Sequence, residues 1–180
     1  MKKLLAIVGM CGSGKSIASD HLTELGWNKI YFGGVTMDKL KENNLEVNPT
    51  NEKMMREKLR KEYGMAAYAI LLLPKIKESI KECDTVLDGL YSWDEYKVLQ
   101  EEFGDNLKLL AITASRNLRY ERLAVREIRP LTNKEAYDRD IAEIENLAKG
   151  GPIAISDYYI LNDGDIEDYI EKLDEIIEKM

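Results

Sequence analysis

Residues 4–16, LLAIVGMCGSGKS, set an apolar run directly before three glycines, a lysine and a serine. The run has the length of a strand buried on both faces, the kind found in parallel sheets covered by helices. Gly9, Gly14, Lys15 and Ser16 match GxxxxGK(S/T), placed where a strand turns into a helix. The glycines let successive backbone N–H groups point inward, and the helix N-terminus adds the positive end of its dipole. The stretch therefore reads as a phosphate cradle. Lys15 is placed to reach β- and γ-phosphates and the Ser16 hydroxyl to bind Mg²⁺. A merely structural turn does not require a lysine and a hydroxyl side by side. Cys11 reads as an incidental loop residue.

Four more apolar runs follow: 29–32, 85–88, 107–113 and 157–161. Segments of helical period separate them, which predicts an α/β fold with a mainly parallel sheet of about five strands covered on both faces. The long gap at 33–84 is expected to hold at least two helices forming a flap. One begins near NPTNEK, with Thr50 or Asn51 as cap; the other runs from about Met65 to Glu82, kinked or restarted at Pro74. At the end of the chain Ile166, Tyr169, Ile170, Leu173, Ile176 and Ile177 follow the spacing of one packing face.

Asp88 ends the third run, at the strand edge where open α/β sheets bind ligands. There it can hold Mg²⁺, through water, or accept a proton from an attacking hydroxyl; an aspartate in this place is also a common turn former. Of eight arginines, six lie between residues 116 and 139. On one continuous helix at about 100° per residue, Arg119, Arg122, Arg126 and Arg129 share an arc, with Tyr120, Ala124, Val125 and Ile128 largely opposite. Guanidinium forks suit phosphate and can stack on a purine; paired with Glu121 and Glu127, the same face could simply be solvated. The following segment, 127–137, is expected to act as a lid that excludes water.

Formal charge is −7 and the pI about 5.0, which argues against a broad nucleic-acid or anionic-membrane footprint. AAYAILLL before Pro74 is too short to span a bilayer, and the basic start MKKLLAIVG lacks a signal-peptide cleavage site. Two cysteines outside any metal-ligand spacing fit reduced thiols, and a cytoplasmic location is expected.

The chain resembles the P-loop nucleotide kinases, the group of adenylate kinase and dephospho-coenzyme A kinase. More closely, it is similar to the mainly archaeal branch described as dephospho-coenzyme-A-kinase-related. The resemblance rests on GMCGSGKS, NNLEVNPTNEKMMREKLRKEYG, LDGLYSWDEYKVLQEEFG, ITASRNLRYERL, the RD of AYDRD, and SDYYILNDGDIEDYIEKLDEI. It implies one three-layer P-loop domain over residues 1–180, with 33–84 as acceptor-binding insertion. It also implies ATP and Mg²⁺ as cofactors, with transfer to a nucleoside monophosphate or a dephospho-coenzyme-A-like acceptor. By the same resemblance Gly9, Gly12, Ser13, Gly14, Lys15 and Ser16 bind phosphates and metal. Arg122, Arg126 and Asn162 lie by the nucleotide, and Arg139 is the arginine after the lid. The chain departs from its relatives at YFGGVTMDK and LDGLYS, where Gly34, Met37 and Tyr91 stand in place of acceptor-binding groups. Arg60 and Asp38 are then the acceptor candidates. A nucleotide-dependent regulatory switch is the competing expectation; a guanine-specific one lacks support, because Asn28-Lys29 and Asn133-Lys134 lack the aspartate of NKxD.

Overall fold

In the computed structural model, which describes residues 2–127 and 129–180, the five apolar runs become one sheet. Its strands are β1 (Leu4–Val8), β2 (Asn28–Tyr31), β3 (Thr85–Asp88), β4 (Leu107–Thr113) and β5 (Tyr158–Leu161). They are all parallel, in the order β2-β3-β1-β4-β5. Side-chain alternation along β1 decides the layers. Leu4, Ala6 and Val8 face a core that includes α2 (Gly34–Glu42), α3 (Pro49–Tyr63), α4 (Ala67–Glu82) and α5 (Trp93–Phe103). Leu5 and Ile7 face the other core, made with α1 (Lys15–Glu24) and α9 (Ile166–Lys179). The result is the three-layer α/β sandwich that the strand pattern predicts.

The insertion at 33–84 holds three helices, the expected two and a further one, α2, separated from β2 by two residues. Asn48, not Thr50 or Asn51, caps α3: its side chain accepts the Asn51 amide, and Pro49 takes the first helical position, where a missing N–H is harmless. Pro74 does not restart α4, which runs as one helix through it. The one backbone bond that proline removes falls opposite Ile70, which is 38 % exposed.

The arginine segment differs most from expectation. Helix α6 (Arg116–Val125) ends at Val125, Arg126 is extended, and Arg129 has a left-handed backbone with φ of 55°. The four arginines therefore share no helix face, and the proposed opposite face fails too: Tyr120 is buried but Val125 is 82 % exposed. Ile128, counted on that face, lies outside the described residues. Helix α7 (Asn133–Leu147) begins with a capping box between Thr132 and Glu135, so residues 133–137 of the expected lid segment are its first turns. A short α8 (Gly150–Ala154) returns the chain to β5. In α9, Tyr169 and Leu173 are buried as the spacing predicts, whereas Ile166 in the first turn stays exposed.

Candidate functional site

Every glycine of the cradle adopts a backbone that side chains resist. Gly9, Gly12 and Gly14 have φ of 148°, 82° and 102°. A Cβ at Gly9 would meet the Ile112 carbonyl oxygen at 2.2 Å, so the tight turn out of β1 admits glycine alone. The loop is then tied down from the far end of the chain. Asn162, at the end of β5, donates to the Ser13 carbonyl at 2.9 Å, and the Tyr169 hydroxyl donates to the Gly14 carbonyl at 3.0 Å. Asn162 thus shapes the cradle's backbone.

Lys15 opens α1 and donates to the Gly9 and Met10 carbonyls at 2.8 and 2.9 Å. Burial, and after it the nearby Lys149 ammonium, push its pKa down to about 8. The Ser13 hydroxyl is fully buried with no partner among the described residues, and one Arg122 guanidinium nitrogen is buried in the same condition. Unpaired buried donors beside inward-turned glycines suit the oxygens of a triphosphate. Ser16 is exposed at the first turn of α1, open to a metal held by phosphate oxygens.

Asp88 sits at the carboxyl end of β3, in register with Ile7 on one side and Tyr31 on the other. Its carboxylate accepts from the Ser19 hydroxyl at 3.0 Å and pairs with Lys29 at 3.2 Å. Ser19 and Lys29 escape sequence reasoning, since only the sheet order brings β2 beside β3. No group of three or more His, Cys, Asp or Glu suited to a metal occurs among the described residues. Mg²⁺ therefore fits here only with phosphate and water completing its shell, which Ser16 and a water-bridged Asp88 allow.

A cavity of about 550 Å³ lies between the insertion and α7, past the ends of β2 and β3, with Tyr31 and Tyr91 in its wall. Four arginines line it, Arg56 and Arg60 from α3, Arg129 from the segment before α7, and Arg139 from α7, with Tyr31, Tyr68 and Tyr91 between them. Arg56 and Arg129 both pair with the buried Glu52, and Arg139 donates to Glu143 at 3.1 Å. The Arg60 Nε is buried without a partner among the described residues. Burial and the neighbouring Tyr31 hydroxyl push the Tyr91 phenol well up, so it stays neutral. Although burial works the other way, Lys149 and then Arg139 hold the Glu143 carboxyl below its ordinary value.

The structure thus brings Lys15, Asp88, Arg60 and Arg139 to one edge of the sheet and leaves two candidates elsewhere. Asp38 is exposed on α2, where Thr36 and Met37 line the cavity instead. Arg126 is half-buried and donates to the Arg129 carbonyl. Arg119 belongs to the frame, with its guanidinium gripped by Asp140 and bonded to the Cys11 carbonyl. Glu52, Arg56 and Glu143 gave no local signal in the sequence, because ordinary helix-surface residues come to line the cavity only when α3 and α7 face each other.

The parallel sheet, the cradle and the helical insertion define a P-loop domain of kinase-like build. Residues 5–146 match the AAA domain family. A UPF0200 protein of Pyrococcus abyssi is 32 % identical over 181 residues, covering 98 % of this chain and 96 % of that protein. A UPF0200/UPF0201 protein of Archaeoglobus fulgidus is also 32 % identical, but this chain spans only 56 % of its length. The chain belongs to the UPF0200 family and carries its AAA-type P-loop domain. Among solved structures, a dephospho-CoA kinase from Campylobacter jejuni superposes with a TM-score of 0.63 at 16 % identity, over 99 % of this chain and 97 % of that one. That likeness is one of fold. No helix among the described residues is long and apolar enough to cross a membrane.

Proposed function

We propose that the protein transfers the γ-phosphoryl group of ATP to a small, nucleotide-like acceptor held in the arginine-lined cavity. The observation that carries this reading is a cavity lined by four arginines at the β2 end of the sheet, with the Arg60 Nε buried and without a partner among the described residues. An ATPase needing only water would not require a second, cationic chamber of that size. Its arginines come from α3, from the segment before α7 and from α7, while Tyr31 and Tyr91 stand at or just past the ends of β2 and β3.

In this reading the cradle amides and Lys15 fix the donor phosphates, and Arg122 lies by the nucleotide. Mg²⁺, bound with the triphosphate near Ser16 and Asp88, supplies charge neutralisation at the phosphate oxygens. Arg139 faces the transferred group, and Arg60 orients the acceptor's anionic end. The 127–137 segment acts as the lid, with Arg129 latched to Glu52 of the insertion so that both sides of the cavity close together. Arg126 stands ready within it.

The test is acceptor-dependent ADP release by the purified chain with ATP, Mg²⁺ and a panel of nucleoside monophosphates, nucleosides and dephospho-coenzyme A. Stimulation by one class identifies the acceptor; silence across the panel favours a nucleotide-dependent switch. With an acceptor in hand, Arg60→Met is expected to raise its KM by about 10- to 100-fold, the loss of one charge-assisted hydrogen bond. The ATP KM and kcat should stay near the wild-type values. A fall in kcat with unchanged KM would remove Arg60 from acceptor binding.

A further inference from the structure

Lys149 begins α8 and is only 1 % exposed, yet neither the cradle motif nor the arginine cluster calls for a buried lysine there. Its ammonium donates to the Glu143 carboxylate at 2.6 Å and stands 5.1 Å above the Tyr91 ring. Glu143 is the carboxylate that Arg139 also uses. Lys15 completes the group: among the described residues its ammonium has only the Gly9 and Met10 carbonyls as hydrogen-bond partners, while Asp88 nearby bonds Ser19 and shares Lys29 with Asp20. Lys149 and Arg139 thus share one carboxylate, and Lys15 has no carboxylate bonded to it among the described residues. Such an excess is costly where water is scarce, and an entering anion relieves it. After burial, the Lys149 ammonium is the largest influence pushing the Lys15 pKa down.

We propose that Lys149 is a further γ-phosphate ligand, held on Glu143 until the triphosphate enters between it and Lys15. This rests on the ATP-binding part of the reading above and not on the acceptor. The arrangement permits the exchange, because Glu143 keeps Arg139 when Lys149 turns away and is never left as an unpaired buried charge. ADP, which lacks the γ-phosphate, does not draw on Lys149.

Calorimetric titration of the full chain with Mg·ATP and Mg·ADP tests the assignment. Lys149→Met is expected to weaken ATP binding by about tenfold with ADP affinity unchanged, the effect of removing one charge-assisted hydrogen bond. Glu143→Gln, which loosens the hold on Lys149, should shift the ATP-to-ADP affinity ratio the opposite way, and the double variant should match Lys149→Met. A purely structural ion pair would lower thermal stability in both single variants and move ATP and ADP affinity in parallel. That outcome, or an unchanged ratio, overturns the proposal. If Lys149→Met does not fold, Glu143→Gln decides alone: a ratio that fails to rise overturns it. An acceptor screen that stays silent while the ratios behave as expected removes the kinase reading and leaves Lys149 in place. Wild-type protein that binds neither nucleotide removes both.

Discussion

Lys15→Met is expected to abolish nucleotide binding and any phosphoryl transfer while making the apo protein more stable, not less. The folded chain holds this ammonium at a pKa of about 8 against an ordinary 10.5. A group whose pKa is lowered by folding binds its proton less tightly in the native state, so it opposes folding wherever both states are protonated. The penalty is therefore fully present below pH 8 and fades between pH 8 and 10.5. At 1.36 kcal/mol per pH unit the difference amounts to roughly 3 kcal/mol. Methionine fills the same space without charge. Against this, the Gly9 carbonyl loses the Lys15 donor, at about 1 to 2 kcal/mol, whereas the Met10 carbonyl keeps its bond from the Ser13 amide. The balance is a gain of about 1 to 2 kcal/mol, or about 3 to 6 °C in Tm for a chain of this length. Thermal melting near pH 7 reads the stability, and titration with Mg·ATP reads the loss of binding. A variant that melts lower and still binds would refute both halves. The same pKa sets a pH profile for the wild type. The binding-competent ammonium is complete below pH 8 and is lost above it, so ATP affinity should fall by up to about tenfold per pH unit from 8 to 10, with a proton taken up on binding. Affinity flat from pH 7 to 10 would contradict it.

The cradle could be read from the chain because its physics is local. A buried strand, the glycines and a helix start are contiguous, and strands β1, β3 and β4 stand at the residues where their apolar runs lie. Boundaries governed by caps were less legible. Asn48 and Thr50 are both good N-caps, and only Pro49, which suits the first helical position, separates them. The arginine face failed for a related reason. Its 3.6-residue spacing continues to Arg129, but Pro130 disfavours a helical residue before it, and the chain leaves the helix at Arg126. That proline was the available signal. The arginine-lined cavity was the least legible part. It forms where α3 faces α7, some 80 residues apart in the chain, and Glu52, Arg56 and Glu143 look like any helix-surface charges until that meeting occurs. The same holds for the pair of neighbours Arg139 and Asp140. They read together as one motif, but the structure turns the arginine to the cavity and the aspartate to α6.

Asp140→Ala should therefore cost more stability than removing any cavity arginine, about 3 to 5 kcal/mol in urea unfolding. Arg119 is 6 % exposed, and both its terminal nitrogens reach the Asp140 carboxylate, at 3.0 and 2.6 Å. The Tyr120 hydroxyl donates to the same carboxylate at 3.1 Å. Removal of Asp140 leaves a guanidinium buried without counter-charge and a phenol without acceptor, and neither can turn to solvent without opening the α6–α7 seam. The effect also reaches the cradle. Arg119 donates to the Cys11 carbonyl at 2.9 Å, and a Cβ at Gly12 would come within 2.8 Å of the Arg119 carbonyl, so loop and helix are fitted backbone to backbone. A mispositioned Arg119 should loosen the phosphate loop and weaken ATP and ADP alike, unlike the ATP-selective change expected at Lys149. Replacing both partners, Arg119→Met with Asp140→Leu, removes the charge together with its partner and is expected to recover most of the lost stability without restoring the hydrogen bond to Cys11. Stability that recovers while nucleotide affinity stays low would show the ion pair acting on the cradle through that single carbonyl. Recovery of both would confine it to the α6–α7 seam.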